Sequence, residues 1–176
     1  MKRNSPVQLR LRQASAVAFF SLLPLASAWT QSAPAPTAAP APAAAPSPTR
    51  IAVENRRAAY QLIGNSFRYF GAVAKGTTLY DEAEASKRAA RIALLATIPG
   101  ESFPEGSNVG EPDSKAKADI WSSRADFDKK LKDFEAHAAN LVEVNAKEKG
   151  ATDALKAAVA SLAQDCKGCH DQYRVK

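Results

Sequence analysis

The sequence predicts an all-α fold, an antiparallel four-helix bundle. Three observations carry this. From Arg50 onward, apolar residues recur three and four apart, and no stretch alternates apolar with polar as a half-buried strand would. The pattern breaks into four stretches of roughly 17–27 residues, long enough for bundle helices. The last stretch carries Cys166-Lys167-Gly168-Cys169-His170, and both cysteines fall on its apolar seam.

The chain starts with a targeting segment. Lys2, Arg3, Arg10 and Arg12 form a basic region without acidic residues, Ala14 to Leu25 is apolar, and Ala26-Ser27-Ala28 is a small-residue cleavage site. Residues 1–28 therefore read as a secretory signal peptide, cut after Ala28, which addresses the protein to the periplasm. The apolar run is shorter than the about 20 residues of a membrane span; the competing reading is an uncleaved anchor. Removing the four basic residues takes the formal charge from +6 to +2. The basicity thus belongs mostly to the signal and gives no ground for nucleic-acid binding, which wants a basic patch on the folded domain.

Residues 29–49 are rich in Ala and Pro, with Pro34, Pro36, Pro40, Pro42, Pro46 and Pro48. Such a stretch is a semi-extended linker of about 3.1 Å per residue. The folded unit, residues 50–176, is expected to begin near Arg50.

The first helix is expected over about Ile51 to Lys75, with the seam Tyr60, Ile63, Phe67, Phe70 and Ala74 and a stop at Gly76. Gly64 and Gly71 inside it each cost about 1 kcal/mol against Ala, which suggests close approach by another helix or a cofactor. The second helix follows the N-cap Asp81 and runs to about Thr97, with Ala83, Ala90, Leu94 and Leu95 facing inward. Pro99-Gly100 ends it. The irregular stretch 101–120 is long for a loop and suits a connection crossing the bundle. Ile120 and Trp121 should pin its end.

The third helix is expected from Ser122 or Ser123 to Lys149-Gly150, with the seam Phe127, Leu131, Phe134, Ala138, Leu141 and Asn145. The fourth starts at the N-cap Thr152, with the seam Leu155, Val159, Leu162, Cys166, Cys169 and Tyr173.

C-x-x-C-H is the attachment signature of c-type haem. Two thiols add to the two vinyl groups of one haem, and the adjacent imidazole becomes the axial ligand of iron. A zinc site would need about four ligands, whereas this chain has two cysteines and two histidines, His137 and His170, far apart. A redox disulfide of the thioredoxin type wants a βαβ setting, and none is visible. The fold class is therefore an antiparallel four-helix bundle with one haem c per chain, held by Cys166 and Cys169, with His170 on the iron. Because a buried haem would supply apolar area that this Ala-rich core lacks, the apo form should be less stable.

Three stretches resemble one family. Arg56-Arg57-Ala58-Ala59-Tyr60-Gln61-Leu62-Ile63-Gly64 is similar to its first-helix segment. Lys115-Ala116-Lys117-Ala118-Asp119-Ile120-Trp121 resembles the entry to its third helix, and Cys166 to Arg174 matches its haem-binding end. The family is that of the cytochromes c′, and the resemblance covers about Ala52 to Lys176.

The resemblance carries further expectations. Relatives that act as low-spin electron carriers use a first-helix Met as the sixth ligand. The only Met here is Met1, in the signal, and His137, flanking its helix's seam, reads as a partly exposed surface residue. The iron is thus expected to be five-coordinate, under an apolar or crowded distal face that disfavours anions and water. Tyr60 falls at the family's distal position, where it would act by steric occlusion or, alternatively, as a phenolate ligand. Arg174, four residues after His170 and so on the same helical face, would stand on the proximal side; a solvated C-terminal Arg is the alternative. Arg56 would pair with a haem propionate or lie on the surface.

The function implied is a haem protein that binds NO first and CO second and can pass single electrons. A dedicated electron carrier for an unidentified periplasmic redox partner is the alternative. A dedicated enzyme is not expected, because peroxide cleavage wants a distal acid–base group and the segment around Tyr60 offers neither His nor Glu. A homodimer through the first two helices, using exposed apolar residues such as Tyr69 or Leu79, is common in the family.

Overall fold

The computed structural model describes residues 45–176. The signal peptide and most of the linker lie outside the described residues. Six helices follow in order: α1 (Pro48–Ala74), α2 (Glu82–Ala96), α3 (Ile98–Glu101), α4 (Asp119–Ser122), α5 (Arg124–Glu148) and α6 (Asp153–Tyr173). The four long ones, α1, α2, α5 and α6, form the bundle: α1 packs on α2, α2 on α5, α5 on α6, and α6 returns to α1. None of the described helices is long and apolar enough to cross a membrane.

Helix α1 begins two residues before Arg50. Ser47 is its N-cap, accepting from Arg50 N at 3.1 Å, and Pro48 takes the first helical position. Proline is favoured there because its missing N–H has no intrahelical partner to lose. Asp81 and Thr152 cap α2 and α6 as expected, accepting from Glu84 N and Leu155 N. On α5 all six expected seam residues are buried.

Helix α2 differs from expectation. Its buried residues are Ala85, Ala89, Ile92 and Ala96, whereas Ala83 and Ala90 are exposed and Leu94 is 71 % exposed. Alanine is spread around this helix, so hydrophobicity alone does not select a face. The bundle takes the face that puts Ile92 inward. Nor do Gly64 and Gly71 receive a neighbouring helix: an added Cβ at either would meet nothing within 4 Å. Tyr69 is not an exposed apolar residue. Its ring packs edge-on against Phe70 and its hydroxyl lies 2.7 Å from Asp81 N. Leu79 is 91 % exposed.

The long connection between α3 and α5 crosses one end of the bundle. Ile120 on α4 is buried, and Trp121 Nε1 donates to Pro104 O at 3.1 Å. The connection then meets the C-terminal tail in a short antiparallel bridge between Ala116 and Arg174. Lys117 N donates to Tyr173 O at 3.0 Å, and Val175 N to Lys115 O at 2.8 Å.

The apolar core forms two clusters. The larger, with Ile63, Phe70, Ile92, Phe134, Leu141 and Leu162, fills the body of the bundle. The smaller joins Phe103, Ile120, Phe127, Leu131 and Tyr173 beneath the crossing connection. Cys166 packs against the first and Cys169 against the second, while Tyr60 touches both.

Candidate functional site: a cavity at the C-x-x-C-H segment

Between these clusters lies a cavity of about 700 Å³. Its walls come from α1 (Tyr60, Ile63, Gly64, Phe67), α5 (Phe127, Leu131, Phe134) and α6 (Cys166, Cys169, His170), closed by Phe103 and residues 112–116 of the connection. The volume falls in the range of pockets that bury an organic ligand. The aromatic and aliphatic walls suit a flat apolar one.

Cys166, Cys169 and His170 share the last turns of α6, as the three- and four-residue spacing requires. Both thiols are half-buried. Burial pushes the Cys169 pKa up to about 11 and raises that of Cys166, where Asp165 adds to the effect. His170 stands exposed at the cavity rim. Desolvation, then the Arg174 charge, lowers its pKa, so the neutral ring able to ligate a metal is favoured.

Opposite His170 stands Tyr60. The two rings meet edge-on, with centroids 6.4 Å apart and planes at 72°. A planar group between two side chains needs about 3.5 Å on each face, about 7 Å in all, and an imidazole bonded to a metal comes closer than that. The spacing, the two thiols bordering different core clusters and the apolar walls together fit a haem attached at Cys166 and Cys169.

Two residues stand differently from the sequence reading. Arg56 is neither a surface residue nor free to take a propionate through its terminal nitrogens. It is 4 % exposed. Nη1 donates to Ser102 O at 2.9 Å and Ser107 Oγ at 2.7 Å; Nη2 donates to Ser107 O and Ser114 Oγ, both at 2.8 Å. Its guanidinium also lies 4.5 Å from the Phe103 ring centroid. The crossing connection, whose path no local spacing reveals, takes up all four terminal N–H groups. Arg174 is not on a helical face. It is the extended C-cap of α6, its N–H donating to His170 O, and its side chain reaches the cavity from there. The bridge to Ala116 pulls it out of the helix.

His137 is 42 % exposed along its side chain, and its Nδ1 lies 2.7 Å from Asp165 Oδ2, tying α5 to α6 one residue before Cys166. Sequence reasoning missed two further partners of the site. Tyr173 donates to Asp126 Oδ2 at 2.6 Å, and Asp165 itself lines the cavity. Asp165 directly precedes the motif and lies four residues before Cys169, the one local signal that could have marked it.

A four-helix bundle that carries C-x-x-C-H beside such a cavity defines a class, the haem proteins of the c-type cytochrome group. Within that class the chain belongs to the cytochrome c′ family, whose profile matches residues 51–174. It is 31 % identical over 128 residues to cytochrome c′ of Halomonas halodenitrificans, covering 71 % of this chain and 96 % of that one. Among solved structures it is similar to cytochrome c prime from Shewanella frigidimarina, at 38 % identity and a TM-score of 0.67, over 73 % of this chain and 97 % of the other. A ferrous variant of the Alcaligenes xylosoxidans protein with bound NO superimposes with a TM-score of 0.65 at 29 % identity, over 73 % and 96 % of the two chains.

Proposed function

We propose that this protein is a periplasmic cytochrome whose haem c is five-coordinate and high-spin, binds NO and CO, and can pass single electrons. Haem supplies the iron at which a diatomic binds and the electron is exchanged. The chain's own residues do the rest. Cys166 and Cys169 would hold the haem through thioether bonds. His170 would bind its iron through the neutral ring. Tyr60 stands where a ligand on the other face would go.

The edge-on pair of Tyr60 and His170 carries this reading. No Met follows Met1 in the chain, and His137 is held by Asp165. Burial raises the Tyr60 pKa far above the ordinary phenol value, which disfavours the phenolate needed for ligation. The relative solved with bound NO supports gas binding. The pattern of residues 1–28 supports export, with cleavage after Ala28.

Absorption and resonance Raman spectra of the resting ferrous and ferric holoprotein test the proposal. High-spin five-coordinate spectra that change on adding NO or CO are expected. A six-coordinate low-spin resting spectrum overturns it.

A further inference from the structure

Steric occlusion uses the Tyr60 ring and leaves its hydroxyl without a role. A Leu or Phe would block the same space. Among the described residues, Ser66 Oγ is the buried side-chain oxygen that is sealed off without a hydrogen-bond partner. Tyr60 Oη has no hydrogen-bond partner among the described residues either, but it escapes that isolation because the residue lines the cavity. Its neighbour one turn earlier, Arg56, cannot compete for a ligand, since its terminal N–H groups are spent on Ser102, Ser107 and Ser114. A phenol ordinarily titrates at about 10, so at neutral pH the oxygen carries its hydrogen. A buried polar group without a partner among the described residues is costly unless something entering the cavity bonds to it.

We propose that Tyr60 donates a hydrogen bond to a diatomic held on the side of the haem away from His170, and so selects gases by the charge on their outer atom. The inference rests on the five-coordinate reading above. A purely steric guard penalises every diatomic by its size. A donor adds a term that grows with the negative charge on the outer atom, so ligands that draw electron density from iron gain most. The face expected to be apolar thus carries the Tyr60 hydroxyl.

The ferrous holoprotein with CO provides the test, in the wild type, Tyr60→Phe and Tyr60→Leu. A donated hydrogen bond strengthens back-donation from iron. Tyr60→Phe keeps the ring and should therefore raise the C–O stretching frequency, lower the Fe–C frequency and speed CO dissociation about threefold to tenfold, the size of one lost hydrogen bond. Tyr60→Leu also removes bulk and should speed CO entry as well. Should Tyr60→Phe fail to mature, transfer of the wild type into heavy water should by itself shift the same vibrations. Frequencies unchanged in Tyr60→Phe, or unmoved by heavy water, overturn the donor role and leave occlusion standing. A low-spin six-coordinate spectrum before CO is added, or no CO binding at all, overturns the underlying reading and the donor role with it.

Discussion

Arg56 grips Ser107 at two points, with Nη1 on its hydroxyl at 2.7 Å and Nη2 on its carbonyl at 2.8 Å. One buried side chain of α1 thereby fixes a connection some fifty residues further along (the separation is 51). The same connection supplies Phe103 and residues 112–116 to the cavity wall. The guanidinium that sits one turn before Tyr60 is therefore a structural clamp on the site.

Replacing Arg56 by Lys should expose the strength of that clamp. Lysine offers a point charge in place of a planar fork, and it leaves several of the four acceptors unpaired. Hydrogen bonds to charged groups contribute about 1.5–3 kcal/mol each, so a loss of at least about 3 kcal/mol is expected. Guanidinium unfolding of the holoprotein measures it. A loss below about 0.5 kcal/mol, the scale of an exposed contact, would refute the clamp.

Gly71 lies inside α1 with open space where a Cβ would go. Gly71→Ala should raise stability by about 0.5–1 kcal/mol, because alanine restricts the unfolded chain and favours the helix. The midpoint of thermal unfolding reports it. A lowered midpoint would mean that something outside this chain needs the space, and dilution across a wide concentration range would then show whether a second copy is responsible.

Alkaline pH should destabilise the bundle through Tyr173. Burial, then the hydrogen bond to Asp126, pushes its pKa up to about 12, while an unfolded tyrosine titrates near about 10. Between those values the unfolded chain has released a proton that the folded one keeps. Stability is therefore complete below about pH 10 and is lost as pH rises toward 12. In unfolding curves collected across this window, Tyr173→Phe should show a shallower fall than the wild type. Parallel curves for the two proteins would remove Tyr173 as the cause.

The parts of this architecture that were legible in the sequence are those governed by periodicity and local chemistry. On α5, large apolar residues mark one face without ambiguity, and Phe127 through Asn145 are buried as the spacing predicts. The cap residues Asp81 and Thr152 act within three positions of themselves, so their role is local as well. The face of α2 was not legible, since alanines on several sides give nearly equal burial energy and only packing against α5 and α1 decides. The role of Arg56 was hidden for a different reason. Its acceptors are two carbonyls and two hydroxyls spread over residues 102–114, and nothing in their order announces that they converge. At the site, C-x-x-C-H announced the thiols and the imidazole. The pairing of Tyr60 with His170 came from family resemblance and not from spacing.

The bridge between Ala116 and Arg174 turns two backbone amides into built-in reporters. The Lys117 and Val175 N–H groups donate across it, one in each direction between connection and tail. Neither belongs to a helix, so neither is protected by helical hydrogen bonding. Their exchange with deuterium tracks whether that wall is shut, while amides inside α5 and α6 exchange only with deeper opening. The rate at which the cavity breathes can thus be timed at two named atoms, independently of the stability of the bundle around them.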